Sequence, residues 1–185
     1  MNLPNAITLI RILLVPLVVI FLINEDYLKA LIVFCICGIT DALDGFLARV
    51  LHQKTSLGAY LDPIADKALL VSCFLTLAIE RAIPGWLAVI VISRDVIILS
   101  GICILFMMSI PFSIKPILIS KITTVLQILT LLLVLFLKSL PFDLDHTWLL
   151  LAYLVTVFVT ILSGFKYIAV GLKHYSIATQ RGTLP

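Results

Sequence analysis

The residues with most chemistry to offer are four aspartates. Asp41 and Asp44 lie three positions apart, and Asp62 and Asp66 four, so on helices each pair shares one face. Brought together, the two faces would crowd four carboxylates into one place, where they repel and partly neutralise unless cations stand between them. Oxygen donors at that density suit Mg2+, Mn2+ or Ca2+ rather than softer metals. Gly45, Ala48 and Gly58 lie on or beside the same faces, where a missing or short side chain allows close helix approach or room for a ligand ring. Arg49, one turn beyond Gly45, can grip phosphate oxygens with paired donors. Metal ions beside an arginine in a wet slot make a site for a pyrophosphate.

The elements that must position these residues are membrane helices. Of 185 residues, 62% are hydrophobic and 12% charged, with a mean hydropathy of +1.23. A soluble domain carries about twice that charged fraction, so one water-soluble core could not hide the apolar surface. Six stretches reach the roughly 20 apolar residues that a span requires: Ala6–Ile23, Leu28–Ala48, Gly58–Ile79, Pro84–Met108, Leu118–Leu137 and Thr147–Val170. Leu3-Pro4-Asn5 could instead open a short interfacial helix ahead of the first. No linker or repeat divides the chain, which reads as one domain over residues 1–185.

Charge in the connections sets an orientation. Asn24–Tyr27 and Lys138–His146 are acidic and Glu80-Arg81 is neutral. Arg49 with Lys54, Lys115 with Lys121, and Lys166, Lys173 and Arg181 mark the other side. By the positive-inside rule both termini and the Arg49–Leu57 loop face the cytoplasm. The expected fold is an all-α integral membrane bundle of six helices with both ends inside. No basic leader, cleavage site or Arg/Ser-rich transit segment precedes the first apolar run, which points to a bacterial inner membrane. A net charge of +3, dispersed along the chain, excludes nucleic acid as a partner. Cys35, Cys37, Cys73 and Cys103 sit in apolar runs and read as small packing residues.

In this topology Asp41, Asp44, Asp62, Asp66, Lys67, Arg94 and Asp95 fall at hydrocarbon depth. Each such charge costs at least about 2.5 kcal/mol on insertion scales, which four acids do not recover by packing. Arg94 and Asp95 are adjacent and are expected to point to different helix faces, leaving Arg94 for a ligand, with a buried ion pair as the other reading. Lys121, at the cytoplasmic end of the fifth span, either binds a ligand or reaches to headgroups. Trp86 and Trp148, near span ends, read as interfacial anchors.

The run Asp41-Ala42-Leu43-Asp44-Gly45-Phe46-Leu47-Ala48-Arg49, then eight residues to Gly58, three to Asp62 and three to Asp66, resembles the signature of the CDP-alcohol phosphatidyltransferases. All eight fixed positions of D-x-x-D-G-x-x-A-R-x8-G-x-x-x-D-x-x-x-D are present. Pro4-Asn5 with Thr8 and Arg11 is similar to the family's N-terminal opening. The resemblance implies two ions, Mg2+ or Mn2+, on Asp41, Asp44, Asp62 and Asp66. It further implies a CDP-lipid held by Asn5, Gly45, Ala48, Arg49, Thr55 or Ser56, and Gly58, with Asp66 also the general base. A cytoplasmic-side site and a homodimer among membrane lipids are implied in the same way. The donor would be CDP-diacylglycerol, with CMP released.

Arg94 and the Ile119–Gln127 segment containing Lys121 resemble the phosphatidylglycerophosphate synthase and cardiolipin synthase branch, so Arg94 and Lys121 are the implied acceptor-binding residues. Gly101-Ile102 and Thr123 stand where the former enzymes carry further basic residues. A phosphate monoester holds nearly two charges and a diester one, so phosphatidylglycerol is slightly favoured over glycerol 3-phosphate. The competing class, a non-catalytic scaffold or metal transporter, also places carboxylates in membranes. A transport path would require acids reaching the far side and the internal repeats of transporters, whereas these four cluster on one side and the sequence shows no repeat.

Overall fold

The computed structural model describes residues 3–50, 56–107, 118–140 and 147–180, with side chains described for 9–41, 65–101, 103, 118–140 and 147–172. The described residues form six helices and no strand: α1 (Leu3–Ile23), α2 (Tyr27–Val50), α3 (Ser56–Ile79), α4 (Gly85–Met107), α5 (Leu118–Ser139) and α6 (Thr147–Gln180). Each expected apolar stretch is a helix, with ends displaced by a few residues. α1 starts at Leu3 as one continuous helix, with Pro4 in its first turn, where a missing N–H costs nothing. Pro16 lies inside α1, a position better tolerated in apolar spanning helices than in soluble ones.

The clearest departure is α6, which runs ten residues past the expected Val170 to Gln180. Its 34 residues span about 50 Å at a 1.5 Å rise, against a hydrocarbon core of about 30 Å. The apolar pattern ends where lipid would end, but no proline stands between Val170 and Gln180, so hydrogen bonding carries the helix onward.

Two compact units are present, Met1–Pro84 with Leu131–Asp145, and Gly85–Thr130 with His146–Pro185. In the first, α1 packs against both α2 and α3. The buried positions of α1 are Arg11, Val15, Val18 and Leu22; those of α2 include Ala30, Phe34 and Cys37; those of α3 include Leu70, Cys73 and Leu77. These recur at alternating spacings of three and four, and α3 buries Ala65, Leu69, Phe74 and Thr76 besides, a wider apolar face. In the second unit α4 packs on α6, and α6 repeats the pattern through Leu149, Tyr153, Thr156, Thr160 and Ser163.

Outside these seams the helices are apolar. Leu13, Ile79, Leu118, Trp148 and Phe165 are each more than two-thirds exposed, while Arg11, Arg94, Asp95, Gln127 and several threonines are buried. Polar inside and apolar outside is the distribution suited to a bilayer as solvent. Among the described residues, α5 and the Thr147–Leu172 part of α6 are long and apolar enough to cross a membrane, and Leu9–Ile23 is a shorter apolar helix. All four cysteines are free, as packing residues would be.

Two tight turns connect helices. After α1, Asp26 N–H reaches Phe21 O at 2.9 Å and Glu25 N–H reaches Leu22 O at 3.1 Å. After α3, Ala82 N–H reaches Leu77 O at 2.8 Å and Arg81 N–H reaches Ala78 O at 3.2 Å. Both are Schellman closures, and their left-handed residues are Glu25 (φ 57°) and Arg81 (φ 55°), where glycine would be unstrained. A side chain costs about 1–2 kcal/mol in that conformation. Arg81→Gly is therefore expected to raise stability by up to about 1 kcal/mol, once the greater freedom of an unfolded glycine is offset. Thermal unfolding in detergent measures it, and a lowered midpoint would contradict the strain argument.

Candidate functional site

Helix register builds the site in the first unit. On α1 the buried stripe Leu22, Val18, Val15 ends in Arg11; on α2 the stripe Ala30, Phe34, Cys37 leads four residues on to Asp41; on α3 the stripe Leu77, Cys73, Leu70 leads back four residues to Asp66. Each helix therefore directs one ionisable residue to the same end of a shared apolar seam. Arg11 Nη1 donates to Asp41 Oδ1 at 2.7 Å and to Asp66 Oδ1 at 2.9 Å. The arginine side chain is wholly buried, whereas those of Asp41 and Asp66 are 43% and 44% exposed.

That asymmetry decides what the arrangement can do chemically. A guanidinium shut off from water must be neutralised, and two carboxylates beside one cation satisfy it. The same contact holds the carboxylates close enough to act on one ligand, with their outer surfaces reachable. Carboxylate oxygens held side by side and left uncovered by the protein suit a hard dication, so these residues would fit Mg2+ or Mn2+. Among the described residues no group of three or more His, Cys, Asp or Glu gathers. The side chains of Asp44 and Asp62 lie outside the described residues.

A second ionic cluster occupies the other unit. Arg94 Nη1 donates to Asp95 Oδ1 at 2.7 Å, and Nη2 donates to Ser120 Oγ at 2.6 Å and Ser163 Oγ at 2.8 Å. The guanidinium also stands 5.8 Å from the centroid of the Tyr167 ring, within cation–π range. Arg94 and Asp95 are 5% and 4% exposed. The two residues were expected to diverge to different helix faces, yet they pair. The arginine stem is long enough to bring its guanidinium around to the neighbouring carboxylate, and it passes Gly164 of α6, where even an added Cβ would stand at ordinary contact distance, 3.8 Å from Arg94 Cγ.

The cluster heads a polar seam between α5 and α6. Thr123 Oγ1 donates to Ile119 O at 2.8 Å and lies 3.5 Å from Val159 O. Gln127 Nε2 lies 3.5 Å from Thr160 Oγ1, and the Thr130 and Thr156 hydroxyls share a 2.6 Å bond. Thr123 is fully buried. A lysine here would have to thread its ammonium out of the seam. Lys121, two residues earlier, is exposed.

Residues 1–165 match the sequence model of the CDP-alcohol phosphatidyltransferases. The chain belongs to this family. It is 32% identical to the cardiolipin synthase (CMP-forming) of Rattus norvegicus over 95% of its own length and 63% of the relative's. The figures against the cardiolipin synthase (CMP-forming) of Homo sapiens are 32%, 95% and 64%. It is 34% identical to the CDP-diacylglycerol–glycerol-3-phosphate 3-phosphatidyltransferase of Bacillus subtilis, over 90% of this chain and 93% of that one. The chain thus spans somewhat under two-thirds of the two cardiolipin synthases.

Of the residues that the family signature marks, the structure brings Asp41 and Asp66 together. Asn5, Asp44, Gly45, Ala48, Arg49, Gly58 and Asp62 lie on described helices but their side chains are outside the described residues, and Thr55 lies outside entirely. Two features escape a reading of motifs. Arg11 is visible in sequence only as part of the N-terminal opening, although a lone cation in an apolar helix signals a buried acidic partner. The α5–α6 seam could have been read from Ser120, Thr123, Gln127 and Thr130, which share the three-and-four spacing of Thr156, Thr160 and Ser163.

Removing one member of a buried ion pair strands the other. Arg94→Met is expected to cost about 3–5 kcal/mol, and adding Asp95→Leu should recover a substantial part by removing the stranded charge. Unfolding of the single and double variants in detergent measures this; equal losses in both would show that the pair is not the stabilising unit.

Proposed function

We propose that this chain is a CDP-diacylglycerol-dependent phosphatidyltransferase that moves a phosphatidyl group onto a glycerol-type hydroxyl and releases CMP. The observation that carries the reading is the meeting of Asp41 and Asp66, from the two ends of the family signature, on one buried guanidinium with their outer surfaces open. Residues 1–185 act as one domain of six membrane spans, with both termini and the Arg49–Leu57 loop at the cytoplasmic face of a bacterial inner membrane. The working form is a homodimer.

In this reading Asp41, Asp44, Asp62 and Asp66 hold two ions, Mg2+ or Mn2+. Bound there, the ions would neutralise the pyrophosphate and stabilise CMP as it leaves. Gly45, Ala48 and Gly58 leave room for the cytidine, Asn5 and Thr55 supply polar contacts, and Arg49 grips phosphate oxygens. Asp66 takes the proton of the acceptor hydroxyl while that oxygen bonds to the phosphorus carrying diacylglycerol and the bond to CMP breaks. Acyl chains stay in the bilayer, and cytidine enters from water.

Phosphatidylglycerol is the acceptor we favour, making the product cardiolipin, with glycerol 3-phosphate second. Arg94 and Lys121 are the acceptor residues in this account. Arg94 spends most of its donors on Asp95, Ser120 and Ser163, and its Nε–H meets no acceptor among the described residues. With so few cations available among the described residues, this region suits a diester better than a monoester. The buried hydroxyl of Thr123, in place of a second lysine, points the same way.

Purified protein given Mn2+, CDP-diacylglycerol and both acceptors in competition is expected to release CMP and make more cardiolipin than phosphatidylglycerophosphate, read by mass spectrometry of the lipids. Predominance of the latter would reverse the acceptor, and absence of CMP with either would return the chain to the scaffold or transporter class. Asp66→Asn is expected to lower turnover by about 10²–10⁴-fold, the usual worth of a general base, with CDP-lipid binding retained. Undiminished turnover would remove Asp66 from that role.

A further inference from the structure

We infer that Arg11 is a positioning residue for the metal site: its buried guanidinium clamps one oxygen each of Asp41 and Asp66, so that the pair is set for a dication before any ion binds. The inference rests on the proposed metal-holding role of these aspartates and extends it to a helix outside the Asp41–Asp66 signature.

Three observations carry it. A single nitrogen, Nη1, makes both contacts, at 2.7 and 2.9 Å, so the two carboxylates are fixed relative to each other and not merely near a shared charge. The partners lie 30 and 55 residues away, on two different helices, so no local turn could impose this arrangement. Burial is split across the contact: the arginine is wholly buried and the aspartates are nearly half exposed. The guanidinium therefore approaches the carboxylates from their protein side and leaves the uncovered side to a ligand.

The alternative, a resident cation that competes with the metal, would favour a guanidinium on the open side of the acids. Arg11 is on the closed side and can remain in place when an ion arrives. Its contribution is orientation, the role that partners behind metal ligands commonly play, where their loss weakens binding by about 10–100-fold.

Mn2+ affinity of the purified protein, read from the disappearance of the free-ion electron paramagnetic resonance signal, tests this without reference to turnover. Arg11→Gln is expected to weaken Mn2+ binding at least about tenfold. Arg11→Lys is expected to bind with intermediate affinity, because lysine keeps the charge but ends one bond short of Nη1 and must pull the carboxylates out of place to reach both. Circular dichroism and a melting curve establish that each variant is folded. If Arg11→Gln does not fold, the comparison of Arg11→Lys with the parent decides alone. Affinity equal to or tighter than the parent's in any folded variant overturns the inference. Asp41→Asn separates this failure from that of the site itself. If Asp41→Asn loses Mn2+ while Arg11→Gln keeps it, only the role of Arg11 falls. If Asp41→Asn keeps it, the metal site falls and the inference with it.

Discussion

A guanidinium cut off from water cannot remain unneutralised, and the first unit is arranged around that constraint. Arg11 is wholly buried in a helix that is otherwise almost entirely apolar. Its requirement for negative partners fixes how three helices are turned about their axes. α1 must face Arg11 inward, α2 must face Asp41 to it, and α3 must face Asp66 to it. Once those rotations are set, the residues at three-and-four spacing behind each charge, from Val15 to Leu22, Ala30 to Cys37 and Leu70 to Leu77, are the ones that pack. Among apolar helices in lipid, burial of hydrocarbon alone would not choose between rotations, because lipid tails are as apolar as leucine. The ion contacts make the choice.

The second unit meets the same problem with one ion pair and a set of hydrogen bonds to neutral groups. Arg94 and Asp95 supply the ionic centre, and Ser120 and Ser163 extend it to α5 and α6. The hydroxyl and amide contacts along the seam then hold α5 and α6 in register. Individually such bonds contribute little in membranes, averaging about 0.6 kcal/mol in measured cases. Their value lies in number and direction, since sliding either helix by one turn would leave several buried polar groups without partners. A buried polar seam is thus a register device in a medium where apolar contact is unspecific.

The helices were legible in the sequence because apolar length is a strong signal: stretches predicted from hydropathy alone ended within a few residues of α1 to α5. α6 was under-read because a hydropathy pattern reports where lipid ends and not where hydrogen bonding ends. Asp41 and Asp66 were legible as members of two helix-face pairs, Asp41 with Asp44 and Asp62 with Asp66, whose faces spacing and depth turn towards each other. Arg11 was not, since what joins it to them is a contact across 30 and 55 residues, and only the helix rotations bring it there. The Arg94–Asp95 contact was misjudged for a different reason. Backbone geometry separates adjacent positions around a helix, but a long side chain reaches past that separation. Cβ directions are a safe guide for aspartate and serine and a poor one for arginine.

Both units contain an aspartate bonded to an arginine through one nitrogen at 2.7 Å, and what surrounds the bond separates their roles. Asp95 is 4% exposed and sits within a cluster that ties α4 to α5 and α6, so its charge is used up in holding structure. Asp41 and Asp66 make contacts of similar length, 2.7 and 2.9 Å, yet keep more than two-fifths of their side-chain surface open. A carboxylate that is to receive a dication needs both conditions together. One side must be anchored so that the geometry does not have to be made on binding, and the other must stay reachable so that the ion can shed water onto it. Full burial provides the anchor without the access, and a surface carboxylate provides the access without the anchor. Pairing to a cation buried beneath the acids is a way for an apolar helix bundle to provide both, and under the proposed role of these acids it accounts for an arginine placed where the packed seam would otherwise hold hydrocarbon.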